Sequence, residues 1–237
     1  VDSATIIINS TTIDWDYWHH YCVTYDDYVS FYFDAQLAAQ WAPASTLNTG
    51  TGGHMHLGVD SYESNAMDGS LDELYVYRSE LSAAAIAVLY GSVTEMPTAS
   101  PAPTSHWFEG TLVAYYPFEG GNATDAFGTK DGAAYREGQS VSSLPVSLGK
   151  DGTDAVELAG DYDYISLPSS MTDDAITGSA QRSICLWAKI DDWSGGDALF
   201  EYGGTASGDQ RFGMFLGKKQ GNLTVQTGVD SATIIIN

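Results

Sequence analysis

The chain is short of positive charge. Lys and Arg together number 9 against 31 Asp and Glu, which gives a formal net charge of −22 over 237 residues. A nucleic-acid-binding surface needs basic side chains to neutralise phosphates, and binding to an anionic membrane surface needs them too. Neither kind of partner is expected. The acidity is typical of a secreted protein in a salty medium, where cations offset repulsion between copies.

Long apolar runs and helix-forming stretches are also scarce. No segment approaches the roughly 20 apolar residues of a transmembrane helix, so we expect no membrane insertion. No signal-peptide pattern is present, and the chain begins inside an apolar segment, so we interpret it as part of something longer. The 15 Tyr and 25 Gly, together with many Val and Thr, favour an all-β protein.

Short apolar or alternating segments, separated by Gly, Asp, Asn and Ser, predict one strand after another. The segments YCVTY and VSFYFD flank the turn DDY and predict a hairpin. Only SELSAAAIAVLY is typical of a helix. In it Leu81, Ile86 and Leu89 share one face, and Ser82 or Ser79 is a candidate N-cap.

Residues 96–105, MPTASPAPTS, contain three Pro and four Ser or Thr and no hydrophobic period. This composition predicts an extended linker, either unmodified or carrying O-linked glycans. The O-glycosylation candidates are Thr98, Ser100, Thr104 and Ser105. The linker separates residues 1–95 from residues 106–237. Each part alone offers too few strands to cover both faces of a two-sheet sandwich.

Four segments resemble strands of laminin-G-like, concanavalin-A-like jelly rolls. Residues 112–119 (LVAYYPFE) look like the opening strand, and residues 183–190 (SICLWAKI) and 18–26 (WHHYCVTYD) look like internal strands. Residues 68–77 (DGSLDELYVY) look like the strand near the domain's end. The resemblance covers most of the chain. It implies an all-β jelly-roll sandwich of two antiparallel sheets with one short closing helix.

The two parts of the chain stand in the reverse of the family's order, and residues 229–237 repeat residues 1–9, VDSATIIIN, at an offset of 228 residues. We interpret this as a tandem array. Residues 1–95 are then the C-terminal half of one jelly roll, and 106–237 are the N-terminal half of the next. The alternative is a circular permutant whose halves fold on each other, with one copy of the repeated strand donated to a neighbour.

The chain has two Cys. Pentraxins, which are relatives of this jelly roll, bond a Cys in each of the corresponding strands. The resemblance therefore implies a disulfide between Cys22 and Cys185, which needs an oxidising compartment. The alternative is a pair of buried free thiols. N-glycosylation sequons begin at Asn9, Asn122 and Asn222 and favour a secreted glycoprotein.

Many laminin-G-like domains hold a structural calcium between the opening loop and the strand with the Asp-Glu pair. Carried over by position, the resemblance implies Asp125 and Asp72 as ligands, with Glu119 or Glu73 nearby. The alternative is a solvated acidic rim. His54 and His56 share a strand face, and we interpret them as polar surface. The loop-like contexts of Trp41, Trp107 and Trp193 make these residues candidates for exposed stacking surfaces.

No Ser–His–Asp constellation, P-loop or dinucleotide-binding motif is present, and the paired carboxylates of a glycosidase are not evident, so we expect no enzymatic activity. The predicted function is a structural repeat unit of an extracellular or cell-surface, glycosylated filament whose partners are neighbouring copies. The alternative is a carbohydrate-binding, adhesive module. A glycoside hydrolase is the third reading.

Overall fold

The computed structural model describes residues 3–8, 14, 16–43, 49–50, 53–60, 65–91, 111–173, 176–193, 198–203, 211–217, 222–227 and 230–236. Within these residues two sheets and two helices form an all-β sandwich, as predicted. The predicted linker 96–105 with its four O-glycosylation candidates lies outside the described residues, as does Asn9.

The first sheet has nine strands. In spatial order they are β1 (Ser3–Ile8), β17 (Asp230–Ile236), β16 (Asn222–Thr227), β15 (Arg211–Leu216), β14 (Ala198–Gly203), β5 (Met55–Leu57), β12 (Tyr164–Leu167), β8 (Ala133–Arg136) and β9 (Gln139–Val141). All described pairs in this sheet are antiparallel except β1 and β17, which are parallel.

The second sheet has eight strands. In spatial order they are β10 (Val146–Leu148), β11 (Asp154–Ala159), β6 (Asp68–Tyr77), β13 (Arg182–Asp192), β2 (His19–Asp26), β3 (Tyr28–Phe33) and β4 (Gln36–Trp41), with β7 (Leu112–Tyr116) also paired to β6. The predicted hairpin is the β2–β3 pair, and its turn residue Asp27 adopts a left-handed φ of 60°, which Asp tolerates better than most residues.

Both sheets contain strands from before the Pro-rich segment and strands from after it. The long strand β13 lies between β2 and β6, and the short strand β5 lies between β14 and β12. Both parts of the chain therefore complete one sandwich in this structure. The assignment of the two parts to successive repeats stays a prediction.

Alternation along β13 shows why it is buried on both faces. Ile184, Leu186 and Ala188 pack in the main core between the sheets. Cys185, on the opposite face, belongs to a second apolar cluster under the helix α1 (Ala83–Gly91). The predicted apolar face of that helix is confirmed for Ile86 and Leu89, whereas Leu81 is buried in the same cluster but precedes the helix.

The predicted cap is also present, since the backbone N–H of Ala85 donates to Ser82 Oγ at 3.2 Å. The prediction of a single helix was incomplete. A second helix, α2 (Ser169–Asp173), follows Pro168, and at five residues it is too short to give a hydrophobic period in the sequence.

A disulfide joins Cys22 of β2 to Cys185 of β13, as the resemblance implied. The two residues are directly paired across the strands and both are fully buried. A link across 163 residues of sequence ties the part of the chain before residue 96 to the part after residue 105.

Arg182 begins β13 and is fully buried without a carboxylate partner among the described residues. Its guanidinium Nη1 donates to Thr49 Oγ1 at 2.9 Å and to Tyr202 Oη at 2.8 Å, and Nη2 donates to the Gly178 carbonyl at 2.6 Å. The charge also lies 5.4 Å from the ring centroid of Tyr25. Hydrogen bonds to neutral groups thus replace water around a buried cation.

Replacing both Cys22 and Cys185 by Ala should lower the free energy of unfolding by about 2–5 kcal/mol, because the unfolded chain regains the freedom that a long closed loop removes. Urea unfolding followed by Trp fluorescence measures this. Adding a reductant to the wild-type protein should reproduce the loss, and should leave the Ala variant unchanged. Equal stability of both proteins would contradict a structural role for the disulfide.

Candidate functional site

The predicted acidic motif lies where β6 changes its neighbour. Asp68–Leu71 pair with β11, and Leu74–Tyr77 pair with β7. Between them Glu73 adopts a φ of 51°, and the register with β13 shifts between Cys185 and Trp187. This is a β-bulge, and it re-aims the side chains of the two residues at the branch, Asp72 and Glu73.

Asp72 is held inside the protein. Its side chain accepts a hydrogen bond from the Lys150 backbone N–H at 3.2 Å through Oδ2, while the buried Oδ1 has no hydrogen-bond partner. Burial, followed by the nearby negative charge of Glu73, raises the pKa of Asp72 to about 8. A protonated carboxyl is therefore the favoured form at neutral pH.

Glu73 accepts two phenol hydrogen bonds, from Tyr75 Oη at 2.6 Å and from Tyr115 Oη at 2.8 Å. The two rings are stacked with centroids 4.5 Å apart. Burial and then the charge of Glu73 raise the pKa of Tyr115 far above its ordinary value. Both tyrosines therefore stay neutral donors, which holds β7 against the bulge.

Asp125 organises the opening loop. Its Oδ1 accepts the backbone N–H groups of Tyr115 at 3.1 Å and Phe127 at 3.0 Å, and its Oδ2 accepts that of Lys130 at 3.1 Å. The backbone N–H of Asp125 in turn donates to Asp131 Oδ1 at 2.9 Å. Tyr115 thus contacts both Asp125, through its backbone, and Glu73, through its phenol.

Glu119 lies on the 3-10 turn Glu119–Gly121 and accepts the Asp154 backbone N–H at 3.2 Å. The contact is reciprocal, because the Gly120 N–H donates to Asp154 Oδ2 at 3.2 Å. The pair fastens the turn to the start of β11.

Within the described residues, the structure does not gather the four residues implied as calcium ligands into one cluster, and calcium binding stays a prediction. Calcium takes six to eight oxygen ligands converging on one point. Here each carboxylate accepts hydrogen bonds from different N–H or O–H donors, and no group of three or more His, Cys, Asp or Glu side chains in the described part of the chain could hold a metal ion. Asp125 and Glu73 are connected through Tyr115 instead.

Asn122 directly follows the 3-10 turn and is half-buried. Its side-chain amide donates to the Glu119 carbonyl at 2.5 Å, and its Oδ1 accepts the Thr124 N–H at 3.0 Å. A glycan on Asn122 replaces one Nδ2 hydrogen and leaves one N–H as a donor. Asn222 is the first residue of β16. N-glycosylation at Asn9, Asn122 and Asn222 stays a prediction.

A row of polar and aromatic side chains crosses the middle of the nine-stranded sheet. Phe200 and Leu57 are paired and face the core, so the next pair, Glu201 and His56, lies on the opposite face of the sheet. Arg211 Nη1 donates to Glu201 Oε1 at 3.1 Å, and Glu201 is fully buried. The Tyr164 ring centroid lies 5.5 Å from that of His56. We call His56, Tyr164, Glu201 and Arg211 the polar strip.

The sequence analysis missed the polar strip, although one signal was present. Glu201 interrupts the otherwise apolar strand ALFEYG, and a carboxylate in such a strand needs a charged or hydrogen-bonding partner. Which residue supplies it depends on strand pairing, since Arg211 comes from the next strand. His54 and His56 stack with ring centroids 6.5 Å apart, but their Nδ1 atoms contact the carbonyls of Leu167 and Asp60.

The prediction that Trp41 and Trp193 form exposed stacking surfaces is wrong, because both side chains are half-buried and pack against the main core. Trp107 lies outside the described residues. The aromatic side chains that are exposed in the described part of the chain belong to loops, a strand end and helix α1 instead. They are Tyr17, Tyr28, Tyr90, Phe127 and Tyr162.

Residues 2–87 match a family model for a laminin-G-like domain, described as the concanavalin A-like lectin/glucanases superfamily. The match runs from β1 into α1. The match supports a laminin-G-like jelly-roll domain, as the motifs indicated, and at a coarse level a lectin-like or adhesive module. A sequence search finds no match among curated proteins. None of the described helices has the length and apolarity needed to cross a membrane.

Replacing Asp72 by Asn should flatten the pH dependence of stability between about pH 4 and 8. The pKa of Asp72 is raised on folding, so the native protein holds a proton that the unfolded chain releases near pH 4. The stabilisation by Asp72 is complete below that pH and is lost as the pH rises towards 8. Relative to wild type, the variant should gain up to a few kcal/mol in unfolding free energy over this interval, at about 1.4 kcal/mol per pKa unit.

Urea unfolding at pH 4 and pH 8 measures this gain. Glu157→Gln, which replaces an exposed carboxylate on β11, is the matched control and should follow wild type. The depressed pKa of buried His20 acts in the opposite sense in all three proteins and cancels in the comparison. Parallel pH profiles for Asp72→Asn and wild type would contradict the buried, protonated carboxyl.

Proposed function

We propose that this chain is a non-catalytic structural repeat unit of an extracellular, glycosylated filament or surface appendage, whose partners are further copies of itself. The observation that supports it most is the way the two parts of the chain complete each other. Strands β2 and β6 come from residues 1–95, and they flank β13 from residues 106–237. Neither part could close the second sheet alone.

In a chain with a period of 228 residues, the second part of one repeat would complete a sandwich with the first part of the next, in the way the two parts of this chain complete each other. The end of one repeat and the beginning of the next would share a core, so consecutive domains could not separate without unfolding. The Cys22–Cys185 disulfide would then covalently link the two parts that form each shared core. That bond also supports an oxidising, extracellular location.

The charge of −22 per chain suits a solvated fibre, because like charges oppose random lateral collapse of copies. Glycans on Asn9, Asn122 and Asn222, and on the Ser and Thr residues of the linker, would add a hydrated coat. Asp125, Asp72, Glu119 and Glu73 serve as hydrogen-bond acceptors within this fold, and the proposed assembly does not depend on calcium.

A longer protein in which residues 10–237 are repeated twice more after Asn237 tests the repeat-unit proposal. Negative-stain electron microscopy should show a row of evenly spaced domains that lengthens by a constant increment with each added copy. The same protein carrying Cys22→Ala and Cys185→Ala in every copy is the control, and it should form the same row with a lower unfolding midpoint. Irregular aggregates, or beads without constant spacing, would contradict the proposal.

A lectin-like adhesive module is the second candidate, and the polar strip favours it. The partly exposed side chains of His56 and Arg211 can bind sugar hydroxyl groups, and the buried carboxylate of Glu201 holds the Arg211 guanidinium in place. Screening the folded protein on a glycan array should then identify binders. The Glu201→Gln variant should bind these glycans at least about tenfold more weakly, because the charged hydrogen bond with Arg211 is lost. Glu157→Gln on the other sheet should not. Absence of any binder, or equal binding by both variants, would exclude this candidate.

A further inference from the structure

The two copies of the repeated segment meet at one edge of the nine-stranded sheet. β17 is antiparallel to β16 on one side and parallel to β1 on the other. The parallel pairing runs without a shift from Ser3↔Ser231 to Ile8↔Ile236, so every residue lies opposite its own duplicate. β1 is the terminal strand of the described sheet.

Identity of the two segments fixes this register. In a parallel, in-register pair, each Ile lies beside Ile and each Thr beside Thr, the arrangement in which stacked identical strands pack most regularly. A shift of one residue would exchange the faces of all side chains, and a shift of two would set Thr against Ile at the strand centre. The pairing therefore depends only on the segment's own sequence.

The segment carries none of the features that usually protect a sheet edge. Residues 3–8, SATIII, contain no charged residue and no Pro, and four of the six are β-branched. Such an edge accepts a further strand through main-chain hydrogen bonds. The edge of β17 that receives β1 thus makes the same bonds whichever molecule supplies the strand.

We propose that β1 is an exchangeable strand, donated by one chain to the β17 edge of a second copy in the same parallel register, so that copies join head to tail. The inference rests on the proposed filament function and names the contact through which separate chains would associate. The donated and receiving surfaces differ, so the contact is heterologous and can continue from copy to copy.

Exchange replaces one set of hydrogen bonds by an identical set. The equilibrium between a strand bound within its own chain and one bound to a second copy therefore depends on protein concentration. A strand tethered to its own chain experiences an effective concentration of about millimolar for a short linker. Exchange should therefore increase steeply as the protein concentration approaches that range, for example when copies are crowded at a surface.

Mixing two full-length variants, Thr5→Cys and Thr233→Cys, tests the exchange because these two positions are directly paired. One variant is labelled with nitrogen-15, the mixture is concentrated and mildly oxidised, and disulfide-linked peptides are identified by mass spectrometry. We expect a mixed-isotope 5–233 link whose yield rises with concentration. The mixture of Ser3→Cys with Thr233→Cys, two residues out of register, should give at least about tenfold less. The native Cys22–Cys185 bond is fully buried and should not interfere.

A third variant tests the role of the main chain. Adding Ala4→Pro to the Thr5→Cys chain removes a backbone donor within β1 and should abolish the 5–233 link. Equal yields from the in-register and out-of-register mixtures, or an unchanged yield with Ala4→Pro, would indicate random collision and overturn the proposal. So would a 5–233 link that forms within a single chain carrying both Thr5→Cys and Thr233→Cys but not between the two singly substituted chains.

The outcomes separate the two proposals. Bead rows from the covalent repeats without a mixed 5–233 link would overturn strand exchange and leave the repeat unit standing. A mixed link without bead rows would support strand exchange and contradict the repeat unit.

Discussion

The pairing of β13 with β2 and β6 is the constraint on which the rest of this structure depends. These three strands are far apart in sequence, yet one face of β13 forms the floor of the main core and the other carries the disulfide and receives α1. Arg182 anchors the start of β13 through hydrogen bonds to Thr49 and Tyr202. Pairs that are so far apart in sequence must close long loops before their contacts offset the lost entropy, and the disulfide secures one such pair.

The bulge in β6 explains why an acidic motif typical of cation sites serves a structural purpose here. At the bulge the strand leaves β11 and takes β7 as its neighbour, which exposes backbone donors on nearby loops. Asp72, Glu73 and Asp125 accept hydrogen bonds from such donors and from two phenols. Carboxylates satisfy buried N–H groups well, but once they have done so they are poorly placed to converge on a metal ion.

The nine-stranded sheet carries two different surfaces. The polar strip extends over β12, β5, β14 and β15, whereas the parallel pair of β17 and β1 lies at the sheet edge beyond β16. Side chains on the face of a sheet recognise ligands through specific groups, whereas an edge recognises another strand through the main chain. The proposed assembly through the edge and the proposed adhesion through the face would therefore use separate parts of the molecule, and one would not block the other.

The sequence by itself determined the all-β class, the β2–β3 hairpin, the apolar face and cap of α1 and, through the family motifs, the Cys22–Cys185 pair. These features follow from local periodicity, turn chemistry and short motifs, which one segment of chain carries alone. Tertiary structure decided the use of the acidic residues, the pairing of Glu201 with Arg211 and the burial of Trp41 and Trp193. It also decided the parallel register of β1 with β17. Each of these depends on which distant strands become neighbours and where a bulge turns a side chain, and no local pattern records that.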